Sequence, residues 1–413
     1  MEWLCNGSEI RTLLDNVLSH FKLNEKGQVS WTSGWEIYAY TLFKKFGNKP
    51  EFDEKSLFEL FCKAIRKAYQ NDPKIKVVDS PLTVLQELLA NELGKNDRYT
   101  LVTTISIKKS VPLKSKIING VRISFYNSVP KKYKSTRFNQ LSDYINSDYE
   151  EPEGYKVVTL SCRACGDHKT TAKKMMDSLD LYRGLLELCF KNPHNFLADK
   201  EEVQYPTSSG ITLGEYHTLH KATGETASDL FWYQKNFSTP RKPLSLKDVA
   251  KTEDVLKKHM SWLKRSKQKY RNHVEKAILL YVRAIDLKDT ESRFLKLWTA
   301  IEVLLANCDN ESALSGRISF RYKDRNTVKM ILRELRRDRN DAIHKGRDIV
   351  GLEYKAFILK DFAEDIFRFF IKNPYNFSAP LHVVEFLNMP TDVKTIEEKI
   401  KRLKQVKKFI GVS

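Results

Sequence analysis

The spacing of apolar residues changes period twice along this chain, and that restricts the fold more than any other feature. Over residues 1–95, SEIRTLLDNVLSHF, GWEIYAYTLFKKF and SLFELFCKAIRKAY place apolar residues three and four apart, the spacing of one buried helix face. SPLTVLQELLANEL continues the pattern from a Ser-Pro helix start. From about 98 the period drops to two. RYTLVTTISIKK, NGVRISFYNSV and GYKVVTLSC alternate and are rich in β-branched residues, which predicts strands of a small sheet. TTAKKMMDSLDLYRGLLELCF, 170–190, then predicts a helix. Residues 193–250 read as a further strand or two, loops and a linker ending near PRKPLSLKD.

From about 250 the helical period returns. DVLKKHMSWLKRSKQKYRNHVEKAILLYVRAI predicts one long helix or two, with Val274, Ile278, Tyr281 and Ile285 on an apolar face. SRFLKLWTAIEVLLAN and VKMILRELRRDRNDAIHKG predict two more helices. YKAFILKDFAEDIFRFFIK sets Tyr354, Ile358, Phe362, Ile366 and Phe370 at steps of four, and TIEEKIKRLKQVKKFI forms a basic tail. FKNPHNF and IKNPYNF each end an apolar helix, a shared stop signal in which proline disfavours helical backbone before it. The expected class is α+β. It comprises an N-terminal helical region (1–95), a mixed α/β region with a small sheet (96–245) and a C-terminal all-α bundle with a basic tail (246–413).

The 71 lysines and arginines exceed the 52 aspartates and glutamates, giving a formal charge of +19. Such an excess points to a polyanionic partner, nucleic acid being the commonest. MEWLCNGSEIRTLL lacks the basic and apolar regions of a secretory signal, and runs such as AILLYV at 277–282 fall far short of a membrane span. The six cysteines sit scattered, mostly in apolar runs, as buried reduced thiols do. The expectation is a cytoplasmic protein with no membrane partner.

Motifs for nucleotide hydrolysis through a Walker loop, for serine hydrolysis through GxSxG and for HExxH zinc proteolysis are missing from the sequence. Cys162, Cys165 and His168 form a metal half-site without a second CxxC, so no metal and no cofactor are expected.

Chemistry concentrates in RRDRNDAIHKG, 336–346. Arg-x4-His alone is weak, since Arg163 and His168 share it. Only Arg339-Asn340 adds an Asn and a helical context, and Asn340 and His344, four apart, share a helix face. A solvated charged helix also explains Arg337–Asp341 and Asp341–Lys345 as ion pairs. Upstream, Phe294, Leu297, Trp298, Ile301 and Leu305 form an apolar stripe with Glu302 at its edge. A carboxylate there needs a partner, and Arg339 is the natural one if the helices pack together.

RFLKLWTAIEVLLAN, a polar loop, RRDRNDAIHKG and a long apolar helix, in that order, resemble the HEPN superfamily and most closely its Apea-like branch of bacterial proteins. The resemblance covers about 250–390. It implies that the C-terminal bundle is HEPN-like, that it pairs as a homodimer bringing two motifs together, and that the chain is a metal-independent endoribonuclease of antiphage-defence or toxin type. By that resemblance His344 serves as acid–base in attack of an RNA 2′-OH on the adjacent phosphate. Arg339 steadies the phosphorane charge, Asn340 orients the phosphate or His344, and Glu302 supports Arg339. The residue types suit this chemistry on their own account, because imidazoles exchange protons near neutrality and guanidinium forks bind phosphate oxygens.

Candidate contacts to the RNA backbone are Arg336, Arg337 and Lys345 beside the motif, Lys264 and Arg265 in LKKHMSWLKRSKQKYR, and Lys131 and Lys132 in PKKYKSTRF. The RNA class is open, with tRNA a candidate, and an antitoxin or companion defence protein is a further possible partner. Two alternatives stand. One is a non-catalytic HEPN-like module binding RNA or protein. The other, ranked third, is a DNA-binding regulator, for which no helix-turn-helix pattern is evident.

Overall fold

A computed structural model describes residues 2–47, 52, 54–93, 97–108, 110–145, 149–190, 207–234, 242–305, 313–346 and 348–411. It has the α+β character expected from the two changes of period. The first four helices are α1 (Gly7–Leu18), α2 (Trp35–Lys44), α3 (Glu54–Asn71) and α4 (Ser80–Leu93). Two short antiparallel pairs, Glu2–Trp3 with Phe46–Gly47 and Phe21–Leu23 with Val29–Trp31, fasten their connections. These elements have a core of their own, built around Leu14, Phe43, Phe61, Ile65 and Leu85.

A six-stranded antiparallel sheet follows, from β1 (Arg98–Ile105), β2 (Ser115–Ile118), β3 (Val121–Tyr126), β4 (Lys156–Arg163), β5 (Tyr216–Lys221) and β6 (Thr226–Tyr233). Its order is β6-β5-β1-β4-β3-β2. Alternation along the strands sends neighbouring side chains to opposite faces. One face takes α6 (His168–Glu187) on residues such as Leu101, Ile123 and Leu160. The other takes α5 (Lys131–Ile145), a helix whose charge conceals its apolar face in the sequence. Arg137 anchors α5. It is 1% exposed, pairs with Glu151 at 2.6 Å and donates to Val102 O and Thr218 Oγ1. PKKYKSTRF is therefore only partly a solvent-facing basic run.

CRACGDH is the turn from β4 into α6. Gly166 sits at φ +119°, where a Cβ would fall 2.4 Å from the Phe52 ring, and Asp167 caps α6 by accepting from Thr170 N. His168 Nε2 lies 3.2 Å from Tyr99 Oη. Among the described residues no three His, Cys, Asp or Glu side chains gather as a metal site.

The remaining chain is α7 (Val249–Arg265), α8 (Gln268–Ile285), α9 (Thr290–Leu304), α10 (Ala313–Ser319), α11 (Arg325–Lys345), α12 (Leu352–Lys372), α13 (Pro380–Leu387) and α14 (Val393–Phe409). Ser266 and Lys267 break α7 from α8, so the long segment is two helices. Val274, Ile278, Tyr281 and Ile285 are all buried, as is the whole stripe Phe294, Leu297, Trp298, Ile301 and Leu305. On α12 the row of fours drifts off the core. Phe362, Ile366 and Phe370 are buried, but Tyr354 is 47% exposed, because four residues overshoot one helical turn. Helix α12 stops at the Asn-Pro signal, with Asn373 in the left-handed region; of the first copy, 190–196, all but Phe190 lies outside the described residues.

The apolar core runs without a break from the sheet through α6 into α8, α9 and α12. Buried ions stitch the same seam. Arg183 of α6, fully buried, pairs with Asp180 at 2.9 Å and with Asp286, just past α8, at 2.6 Å. Helix α14 buries none of its side chains. No described helix is long and apolar enough to cross a membrane.

Three buried imidazoles make this fold acid-sensitive. Burial holds His217 down to about 3 and both His220 and His259 to about 4, so all three fold as neutral rings. Unfolded imidazoles take up protons below about 6.5. Between that pH and the folded values the unfolded chain binds more protons, so stability falls as pH drops through the window. Urea unfolding at pH 7, 6, 5 and 4.5 should show a loss approaching roughly 4 kcal/mol per pH unit at its steepest, about 1.4 per proton. A His217→Asn, His259→Gln chain should lose most of that slope; an unchanged slope would assign it elsewhere.

Candidate active site

Helix α11 carries the motif because its ends are well defined. Asp324 caps the start by accepting from Thr327 N, and Gly346, at φ 60°, stops it by donating its N–H to Ala342 O. A left-handed residue is cheapest as glycine, which explains the Gly that closes RRDRNDAIHKG. Leu332, Leu335 and Ala342 bury one side against the bundle, leaving the opposite side to solvent.

The open side forms a shallow cleft of about 570 Å³. Arg333, Arg336, Arg337, Asn340 and His344 line it, with Asp341 and Lys345. Arg336, Asn340 and His344 follow one another at steps of four, as a single helical row must. Arg337 pairs with Glu334 and Lys345 with Asp341, so these two cations are partly neutralised. Arg333 has no ion-pair partner among the described residues. It escaped the motif because it lies a full turn upstream, and the only signal for it was the step of four to Arg337.

Behind the cleft runs a chain of polar contacts. Trp298 Nε1–H donates to Glu302 Oε1 at 3.0 Å. The other Glu302 oxygen lies 3.6 Å from Arg339 Nη2, and Arg339 Nη1 donates to Asn340 Oδ1 at 3.0 Å. Glu302 and Arg339 are both about a quarter exposed. Helix α9 thus reaches α11 through one carboxylate, and Arg339 holds Asn340 at the cleft wall. Arg339 Nε is buried with no hydrogen-bond partner among the described residues, a costly state for a guanidinium. Lys355 of α12 pairs with Asp338 at 2.6 Å and ties the same turn of α11 from another side.

Of the two roles the resemblance implies for Asn340, orienting the phosphate or His344, the geometry bears on the second. Asn340 turns its oxygen to Arg339, and no hydrogen bond joins it to His344. His344 itself is exposed and makes no hydrogen bond among the described residues.

The other candidate contacts lie elsewhere. Lys264 and Arg265 end α7, and Lys264 lines a cleft with Lys116, Lys257 and Arg271. Lys131 and Lys132 open α5, and Lys132 faces the end of the sheet. The seven basic candidates therefore divide among three surfaces. Only Arg336, Arg337 and Lys345 adjoin His344. The chain matches no family model, no curated protein and no solved structure.

Proposed function

We propose that the chain is a metal-independent endoribonuclease of the HEPN type, acting in bacterial antiphage defence or as a toxin. The observation that carries this is the polar chain Trp298–Glu302–Arg339–Asn340, which ends at a basic cleft holding an exposed histidine. A purely solvated helix has no need to orient one arginine through a carboxylate of another helix. The cleft itself presents the Arg336 guanidinium and the His344 imidazole, the two functions that phosphodiester cleavage needs, with Arg339 set behind them through Asn340.

In this reading neutral His344 takes the proton of an RNA 2′-OH as its oxygen bonds to the adjacent phosphorus. The P–O5′ bond breaks, and a protonated imidazole returns a proton to the departing O5′. A homodimer would supply two imidazoles, one for each transfer. Arg339 and Arg336 balance the extra charge on the phosphorane, and Asn340 positions the phosphate. The products are a 2′,3′-cyclic phosphate and a 5′-hydroxyl end. Incubating the chain with a tRNA pool and other RNAs in EDTA, then mapping the ends, tests this. Cleavage that requires added divalent metal, or that leaves 5′-phosphate ends, would exclude the mechanism.

Glu302 acts here by positioning. Glu302→Gln keeps an oxygen for the Trp298 N–H but removes the charge facing Arg339. The pair is partly exposed, so stability should change by less than about 1 kcal/mol. Cleavage should fall about 10-fold through kcat rather than KM, because a misplaced Arg339 loses its grip on the transition state.

The unheld His344 and the occupied Asn340 oxygen favour one second reading, a HEPN-like module that binds RNA or a protein without cutting. It predicts RNA retention with no new ends at any enzyme concentration.

A further inference from the structure

A second charged cleft lies at the end of the sheet where β1 begins and β4 stops, with a volume of about 560 Å³. Five cations from five elements line it: Arg98 of β1, Arg122 of β3, Arg163 of β4, Lys132 of α5 and Lys174 of α6. None has an ion-pair partner among the described residues. The strand register makes the arrangement more costly still. Arg98 and Arg163 are direct cross-strand partners, a position where like charges destabilise a sheet. Arg122 pairs with Ser161 one step further along, on the same face. Asp97, which lines an adjoining hollow with Arg98 and Arg163, makes no ion pair with either and accepts the Tyr99 hydroxyl at 3.3 Å.

The floor between these cations is polar and ordered. Thr100 Oγ1 and Ser161 Oγ are 2.9 Å apart across β1 and β4, and Tyr133 Oη donates to Thr100 Oγ1 at 3.3 Å. Tyr133 thereby fixes the start of α5 over the cleft. The volume matches a nucleotide-sized ligand.

We propose that this cleft binds a triphosphate group, held by Arg98, Arg122, Arg163, Lys132 and Lys174. The density of charge selects this over a strand backbone. A strand carries about one negative charge per nucleotide, so a cleft this size would meet too few phosphates to balance five cations. A triphosphate concentrates several charges in one short unit and satisfies planar arginine forks from more than one side. The recognition is by side chains, which fits a chain lacking a glycine-rich phosphate loop. The proposal does not depend on the nuclease reading, since none of its residues lines the His344 cleft.

The group could belong to a free nucleotide or to the 5′ end of an RNA, and one titration series separates them. The full chain carrying His344→Ala, so that no RNA is consumed, is titrated with inorganic tripolyphosphate, ATP, GTP, an RNA octamer with a 5′-triphosphate and the same octamer with a 5′-hydroxyl. Tripolyphosphate should bind, raise Tm and displace the other triphosphates. Tighter binding of the 5′-triphosphate octamer than of ATP or GTP assigns the RNA end; the reverse assigns a nucleotide. Arg98→Gln with Arg163→Gln should weaken every triphosphate at least 10-fold and leave the 5′-hydroxyl octamer unchanged. The same pair should hold or raise Tm without ligand, because it relieves a like-charge pair, and this separates lost binding from lost folding. Failure of tripolyphosphate to bind, equal affinity in the double variant, or a 5′-hydroxyl octamer that competes as well as the 5′-triphosphate one would each overturn the proposal.

Discussion

Replacing His344 with alanine is expected to lower RNA cleavage in EDTA by about 10²- to 10⁴-fold, the usual contribution of a positioned acid–base group. The change is unusually clean structurally. His344 is exposed in the last turn of α11, and it makes no hydrogen bond among the described residues. Its loss removes no buried contact, so unfolding by urea should be unchanged to within about 0.5 kcal/mol. Arg339→Ala makes the instructive comparison. It would leave Glu302 with only the Trp298 N–H and free Asn340 from its hold, so it should reduce cleavage and cost some stability together. Arg333→Gln, on the same cleft but outside the polar chain, should raise KM and weaken salt-dependent RNA binding while sparing kcat. Equal rates for the wild type and His344→Ala would remove His344 from the chemistry and leave the binding-module reading in its place.

Periodicity made most of the fold legible because the buried faces of α1, α3, α8 and α9 are built from apolar residues at helical spacing. Helix α5 stayed hidden for the converse reason. Its anchors are Leu141 and the buried guanidinium of Arg137, and a charged residue that points inward looks the same in a sequence as one that points out. The CxxC segment was legible as the end of a strand followed by a turn; what the sequence did not show is how that turn is held, with Gly166 at positive φ against the ring of Phe52. At the candidate site, Asn340 and His344 share a face by local geometry alone, so their row could be read directly. The approach of Glu302 to Arg339 required two helices to pack, but the carboxylate at the edge of an apolar stripe announced that it needed a partner. The sheet-end cluster gave no such signal. Arg98, Arg122 and Arg163 lie far apart in the chain, and only the antiparallel register of β1, β3 and β4 gathers them.

Removing Arg183 is expected to be the most damaging single change to stability, about 3–5 kcal/mol for Arg183→Met, because it strips the counter-charge from buried Asp180 and from Asp286, which is mostly shielded from solvent. Arg183 is fully buried, and its guanidinium serves Asp180 at 2.9 Å, Asp286 at 2.6 Å and the carbonyl of Ile211 through two N–H groups. Burial already pushes the Asp180 carboxyl upward against the pull of Arg183. Without the arginine, Arg283 alone remains beside Asp180, at 3.3 Å from its second oxygen, and Asp286 loses its partner across the seam. The damage should therefore be local in origin and wide in effect, since the same contacts join α6 to the end of α8 and to the loop at Ile211. Urea unfolding of Arg183→Met measures the loss, and adding Asp180→Leu and Asp286→Asn should return part of it by removing the stranded charges. That recovery distinguishes electrostatic loss from a simple packing defect. If Arg183→Met cost less than about 1 kcal/mol, or if the added substitutions only deepened the loss, the seam would owe its stability to the apolar packing of α6 on α8, with the ion network a passenger.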